Sequence, residues 1–292
     1  GFLAVIGNNI PKNKILELSL SKQIHRGPDN TKFFIDKNVW FGFNRLKIID
    51  TSDNANMPIN YGPITLMLNG QIFNYLEIKK KLISKGLGFH TSSDSEVLAA
   101  SIYYYGIENT ISQIDGMWSF VCYDKRSQTT FVSRDLFGKK PLWQTEINNN
   151  FIFSTEIKSL LSLYPQLKEI NSQVVSNFVE HSLIDIDNQS FFKKIYRFPQ
   201  NTYAVLKSNE IKHYNINKID NLKNEKPDNI NLKNLIDDSI EKELQSDVPI
   251  AVSLSGGLDS SYITKITNEK KNVKAYTISN EVSNNEINFI ND

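Results

Sequence analysis

Val252-Ser253-Leu254-Ser255-Gly256-Gly257-Leu258-Asp259-Ser260-Ser261 reads as an apolar strand that enters a glycine turn and leaves it as a helix. Backbone N–H groups at a helix start have no partner within the helix, so they face outward and favour an anion. Glycine at 256 and 257 lets the main chain approach a phosphate closely, and the hydroxyls of Ser255 and Ser260 add donors. No Gly-Lys-Ser/Thr follows, so the turn is not of the Walker type. A plain turn whose serines cap the helix is the competing reading. On either side lie a helix over 232–244, a strand over 249–254, a helix from about Ser260 and a strand over 273–278, an alternation that opens a parallel α/β sheet. A parallel sheet needs further strands with helices on both faces, so this second unit is expected to be cut short at Asp292.

Upstream, 215–231 turns polar and holds Lys226-Pro227-Asp228, the composition of a linker or surface excursion. We therefore divide the chain into a first domain over 1–212, a linker over 213–231 and the start of a second domain over 232–292. The first domain reads as mixed α and β, with strands expected over 2–6, 64–68, 117–123, 129–133, 142–146 and 151–154 and helices filling the gaps. Short links between several strands point to antiparallel pairing. Tyr75, Ile78 and Leu82 recur at helical spacing, and Asp94 or Ser95 is placed to cap a helix over 96–105.

The charge balance narrows the partners. Thirty-three basic and 32 acidic side chains leave a net charge of +1 over 292 residues, which supplies no footprint for duplex nucleic acid or an anionic membrane surface. One cysteine, Cys122, lies in the apolar run Met117 to Tyr123 and reads as a buried, inert thiol. The apolar opening Gly1 to Gly7 lacks a basic leader, and nowhere do about 18 apolar residues run together. A reducing cytoplasm is the expected setting. The histidines His90, His181 and His213 show no metal-ligand spacing.

The string Ser255-Gly256-Gly257-Leu258-Asp259-Ser260-Ser261 resembles the PP-loop of ATP pyrophosphatases. Four strings in the first domain, His25-Arg26-Gly27-Pro28-Asp29, Arg45-Leu46-Lys47-Ile48-Ile49-Asp50, Asn69-Gly70-Gln71-Ile72-Phe73-Asn74 and Ser93-Asp94-Ser95-Glu96-Val97, resemble in order the class II glutamine amidotransferase domain of the asparagine synthetase family. Gly116-Met117, Arg134-Asp135-Leu136-Phe137-Gly138-Lys139-Lys140-Pro141-Leu142 and Ser154-Thr155-Glu156-Ile157-Lys158 continue the match. The resemblance implies an αββα Ntn-hydrolase-like sandwich followed by a truncated α/β PP-loop domain. It also implies a ligase that takes ammonia from glutamine, adenylates aspartate with ATP and Mg2+, and yields asparagine. It leaves room for a homodimer.

By the same resemblance, glutamine is bound by Arg45, Leu46, Lys47, Ile48, Ile49, Asn69, Gly70, Gln71 and Asp94, and ATP by Leu254, Ser255, Gly256, Gly257, Asp259, Ser260 and Ile278. Asp259 would sit beside the pyrophosphate and its magnesium, Leu254 and Ile278 beside the adenine nucleotide, and Glu286 in a later acidic element; Leu254 and Ile278 also read as core strand residues. The chemistry explains the residue types in the first domain. Free glutamine carries a carboxylate and an ammonium that must both be paired when it is desolvated, and Arg45 suits a bidentate grip on the first as Asp94 suits the second. Amide hydrolysis passes through a tetrahedral oxyanion, for which the Asn69 side chain and the Gly70 N–H resemble the family's donor pair. Taken singly, Arg45 is a paired surface arginine, Asp94 a helix cap and Asn69-Gly70 a hairpin turn; the ordered set is what favours the site.

His25 to Asp29 read as structural wall or loop anchor, and Arg134 and Asp135 as a structural ion pair. The family's nucleophile is a cysteine that begins the mature chain, with its own α-amine as base, and it is expected immediately before Gly1. Gln71 stands where the family usually has glutamate, which weakens the hold on an ammonium. Two other readings stay open: an ATP-dependent ligase of the β-lactam synthetase kind with an inactive glutaminase domain, and a non-catalytic module that binds glutamine or nucleotide.

Overall fold

A computed structural model describes residues 1–184, 187–216 and 231–278. The chain forms two compact units, Gly1–Lys223 and Asn224–Asp292.

The first unit begins with β1 (Phe2–Gly7), α1 (Asn13–Ser21), β2 (Asn30–Asp36), β3 (Val39–Arg45), β4 (Ile59–Tyr61) and β5 (Ile64–Ile72). Helices α2 (Tyr75–Ser84) and α3 (Asp94–Gln113) follow, then β6 (Gly116–Asp124), β7 (Thr129–Arg134), β8 (Trp143–Ile147) and β9 (Asn150–Ser154). It continues through α4 (Ile157–Leu163), α5 (Ser172–His181), β10 (Tyr196–Arg197), β11 (Thr202–Lys207) and β12 (Glu210–Asn215). The strands form two antiparallel six-stranded sheets, in the orders β10-β8-β9-β1-β3-β2 and β12-β11-β7-β6-β5-β4.

Strand alternation builds four layers. Phe2 and Ala4 of β1 point between the sheets with Phe41, Met67, Val121 and Phe153, while Leu3 and Val5 point the other way, onto Leu16 and Leu20 of α1 and Leu160 of α4. On the far side, Leu66 and Leu68 of β5 and Phe120 and Cys122 of β6 face Ile78 and Leu82 of α2 and Val97 of α3. The arrangement is an αββα sandwich. Central strands covered on both faces are mostly apolar, and β3, whose seven residues are all buried, runs apolar from Val39 to Phe43 before it ends on the polar Asn44 and Arg45.

The gaps between the expected strands therefore do not hold helices alone, since β2, β3 and β4 occupy parts of them, and three further strands, β10, β11 and β12, follow the last expected one, with β12 running past 212 to Asn215. The N-cap of α3 also differs from expectation. Ser93, not Asp94 or Ser95, takes the Glu96 N–H at 3.2 Å, because Asp94 already accepts from the Ile72 N–H at 2.9 Å. Helix α3 continues past 105 to Gln113 across a break at Gly106, whose φ of +78° glycine adopts without strain. Cys122 is fully buried and burial drives its thiol pKa far upward, which keeps it inert.

The second unit holds α6 (Leu232–Glu243), β13 (Ala251–Ser253), α7 (Leu258–Lys270) and β14 (Lys274–Tyr276). The two strands are parallel, with Val252 opposite Ala275. Helix α7 starts at Leu258 with Gly257 as its cap, two residues ahead of the expected start.

Candidate active site

Asn69 and Gly70 lie inside β5, where they pair with Ser119 and Trp118 of β6. The hairpin-turn reading of this Asn-Gly pair is therefore overturned. Glycine is required at 70 by proximity, because a Cβ there would stand 2.1 Å from the Met117 carbonyl oxygen and 2.7 Å from the Trp118 Cα. The Asn69 side chain is held by its cross-strand neighbour: Nδ2 donates to Ser119 Oγ at 3.2 Å, and that hydroxyl donates to the Pro141 carbonyl at 3.1 Å. One Nδ2 hydrogen is thus spent on orientation, and the second remains for a ligand.

Arg45 ends β3 and is buried. Its Nη1 donates to the Ser52 carbonyl and to Asn56 Oδ1, each at 2.8 Å. Its Nη2 donates to the Ile49 carbonyl at 3.2 Å and to the Asp50 carbonyl. The expected bidentate grip is therefore not preformed, since a buried guanidinium must satisfy its donors and the adjacent loop does so. Only the Nε–H is left without a partner among the described residues. Burial also lowers the Arg45 pKa.

Asp94 opens α3, with its carboxylate next to the end of β5. Burial raises its pKa from the ordinary 3.8 to about 6, against the pull of N–H groups from Ile72 and Ser95. Gly1 begins β1's edge of the same region. Its nitrogen donates to the Asn44 carbonyl at 2.6 Å. A Cβ on Gly1 would meet Thr155 Oγ1 at 2.8 Å and Gln23 Oε1 at 3.0 Å.

These groups share one cavity of about 360 Å³, bounded by Gly1, Arg45, Leu46, Ile48, Ile49, Asn69, Gly70, Gln71 and Asp94. Lys47 is the exception. Its Nζ pairs with Asp53 at 2.8 Å and its N–H with Asp29 Oδ2 at 2.8 Å, which turns it away from the cavity wall. Arg26, Met117 and Lys140 also line the cavity. Met117 belongs to the Gly116-Met117 string of the sequence reading but carries no site role there, and Ser119 carries none either, since only the β5–β6 register brings them opposite Gln71 and Asn69.

The flanking motifs serve as anchors. His25 Nε2 lies 2.7 Å from Glu156 Oε1. Arg134 donates to the carbonyls of Gly138, Lys140 and Phe198, while Asp135 accepts from the N–H groups of Trp118, Phe137, Lys139 and Lys140. Both residues are thus fastened to main chain around the loop that carries Lys140.

In the second unit the turn 255–260 is closed on itself. Ser255 N–H donates to Ser260 Oγ at 3.2 Å, the two hydroxyls lie 3.0 Å apart, and Ser260 Oγ donates to the Gly257 carbonyl at 3.1 Å. Gly256 has a φ of +80°. Asp259 is exposed in the first turn of α7. Leu254 is half-buried and its N–H meets the Tyr276 carbonyl at 2.9 Å, but Ile278 is fully exposed, so a core strand role for it is not what the structure has. Glu286 lies outside the described residues.

A family profile for the glutamine amidotransferase domain matches residues 1–216, and one for asparagine synthase matches residues 231–291. The chain belongs to the glutamine amidotransferase domain family. Among similar proteins, asparagine synthetase [glutamine-hydrolyzing] 1 of Bacillus subtilis is 33% identical over 253 residues, covering 84% of this chain and 39% of that protein. A putative asparagine synthetase [glutamine-hydrolyzing] 2 of Methanocaldococcus jannaschii is 30% identical over 290 residues, covering 90% of this chain and 55% of that protein. This amidotransferase chain thus spans about 40 to 55% of the length of those two relatives. In fold it is similar to the glutamine phosphoribosylpyrophosphate amidotransferase of B. subtilis, with a TM-score of 0.58 at 14% identity over 96% of this chain and 67% of that one. The Ntn-hydrolase-type sandwich of the amidotransferases is the fold seen here. No described helix is long and apolar enough to cross a membrane.

Proposed function

We propose that the first unit hydrolyses the side-chain amide of glutamine and that the second opens the ATP-using part of an asparagine synthetase. The observation that carries this is the convergence of Gly1, Arg45, Asn69, Gly70 and Asp94, from separated stretches, on one cavity. In this reading a cysteine joined to the Gly1 nitrogen supplies the thiolate, with its own α-amine as base. The thiolate attacks the amide carbon, the carbonyl electrons move to oxygen, and the free Asn69 Nδ2–H with the Gly70 N–H meets that oxyanion. The oxyanion collapses to a thioester as the C–N bond breaks, the cysteine's α-ammonium returns its proton to the departing nitrogen so that ammonia leaves, and water then cleaves the thioester to glutamate and the free thiol. Asp94 takes the ammonium of glutamine. The α-carboxylate of glutamine competes with the Ile49 and Asp50 carbonyls for Arg45 Nη2, or accepts from the Nε–H. Gln71, being neutral, adds a weaker acceptor than a carboxylate would.

In the second unit the N–H groups at the start of α7 and the hydroxyls of Ser255 and Ser260 would receive the phosphates of ATP. Mg2+ would be held by Asp259 together with phosphate oxygens, as its exposed single carboxylate suits, and would neutralise phosphate charge. Among the described residues no three His, Cys, Asp or Glu gather as a metal cage, which fits a metal that arrives with the nucleotide. Aspartate as acceptor is proposed by analogy with the asparagine synthetases named above, and the cytoplasm as setting belongs to the same proposal.

The test is ammonia release from glutamine by a chain that begins at Gly1 and by the same chain carrying a cysteine before Gly1. Turnover is expected only with the cysteine, and its absence there overturns the reading in favour of an inactive domain or a binding module. In the cysteine-bearing chain, Asn69→Ala should lower kcat about 100-fold or more with little change in KM, since its donor acts on the transition state. A loss confined to KM would remove Asn69 from the oxyanion site. Affinity for glutamine should hold above pH 6 and fall about tenfold per pH unit well below it, because a protonated Asp94 cannot pair with an ammonium. Titration calorimetry from pH 5 to 8 checks this; an affinity flat across that range would contradict it.

A further inference from the structure

Arg45 and Asp94 reach the cavity from different elements, one at the end of β3 and the other at the start of α3. A ligand with a charge at each end needs these two groups at a fixed separation, and covalent connection through 48 intervening residues does not fix it. Asp50 does. Its Oδ1 accepts from the Ser52 N–H at 3.0 Å and from the Ser52 hydroxyl at 2.6 Å, which closes the loop around the Arg45 guanidinium. Its Oδ2 accepts from the Ser92 N–H at 2.7 Å, on the turn that leads into α3. Its main-chain carbonyl accepts from Arg45 Nη2.

Asp50 is 9% exposed and stands outside the cavity wall. Its φ of +54° lies in the left-handed region, a conformation that costs a non-glycine residue and persists where surrounding contacts over-determine it. Those contacts are the ones just given. Glu96 fastens the same turn from the helix side, accepting from the N–H groups of His90 and Thr91 at 2.9 and 2.7 Å. The turn is thus fixed to α3 by Glu96 and to the Arg45 loop by Asp50.

Resting on the glutamine reading above, we propose that Asp50 is a positioning residue that sets the spacing between the group for the ligand's carboxylate and the group for its ammonium. Removing it leaves Arg45 and Asp94 in place individually but lets the two walls drift, so a ligand held at both ends is weakened more than a ligand held at one.

The experiment is titration calorimetry on the full chain with L-glutamine and with 4-carbamoylbutanoate, which keeps the carboxylate and amide and lacks the ammonium. Asp50→Ala should weaken glutamine about tenfold and 4-carbamoylbutanoate less than about twofold, and Asp50→Asn, which keeps one acceptor oxygen, should fall between. Ser92→Pro deletes the N–H that reaches Asp50 from an exposed position and should reproduce the selective loss; it decides the matter if Asp50→Ala does not fold. Asp124→Ala, which breaks an unrelated carboxylate–Arg126 pair, should lower stability without altering either affinity. Equal weakening of both ligands, or none, overturns the positioning role. Absence of glutamine binding by the unsubstituted chain overturns the glutamine reading, and the role of Asp50 with it.

Discussion

Asp94→Asn is expected to abolish glutamine binding and, at the same time, to make the protein more stable at neutral pH. The carboxylate is buried and its pKa is raised from 3.8 to about 6. An acid whose folded pKa lies above its unfolded value contributes stability that is fully present below pH 3.8 and is lost as pH rises through 6. At about 1.4 kcal/mol per pKa unit, the loss is about 3 kcal/mol above that pH. Asparagine keeps an oxygen for the Ile72 N–H and carries no charge to desolvate. Denaturant unfolding should therefore show the variant about 2 to 3 kcal/mol more stable at pH 8, with the difference vanishing near pH 3.5. Glutamine affinity should fall about 100-fold or more, because the ammonium is left without its counter-charge. A variant less stable than the parent at pH 8 would show that the carboxylate is satisfied in place, contrary to its raised pKa.

Gly70→Ala is expected to cost about 3 kcal/mol or more, near the top of what a single added methyl does. The added Cβ meets main chain, not a flexible side chain: the Met117 oxygen at 2.1 Å and the Trp118 Cα at 2.7 Å. Relief requires β5 and β6 to separate, and they are paired over nine positions from Ile64 to Ile72. Separation also pulls Asn69 away from Ser119, so the surviving folded fraction should have lost the orientation of the Asn69 amide. Gly88→Ala is the control, since nothing stands within 4 Å of a Cβ there; its stability should stay within about 0.5 kcal/mol of the parent or rise. Thermal unfolding of the two variants checks the contrast, and a Gly70→Ala protein as stable as Gly88→Ala would refute the steric account.

Both expectations come from burial, and burial is where reading from residues alone stops. The residue types of the proposed site were legible because ordered strings of the first domain resemble the amidotransferase family, and an arginine, an acid and fixed donors suit the zwitterion and oxyanion that the proposal assigns to it. What each does in the free protein was not. Arg45 suits a bidentate grip on a carboxylate, yet its four Nη hydrogens are taken by the loop that follows it. Asn69-Gly70, a frequent turn signal, lies mid-strand because β6 offers main chain that only glycine can approach. Lys47 belongs to the motif but not to the cavity.

The amino-acid order by itself determined a mixed α and β first domain with antiparallel strands and the start of a parallel α/β second one: apolar runs make buried strands and helical spacing covers them, while the layering and the candidate site residues came from resemblance to a family. Register, partner and electrostatic state were decided only by the tertiary structure. They depend on which groups meet across tens of residues of chain, as Asp50 meets Ser92 and Asn69 meets Ser119, and on how much water is excluded when they do. A linear sequence records neither distance nor dielectric, and those two quantities turn a list of suitable residues into a site.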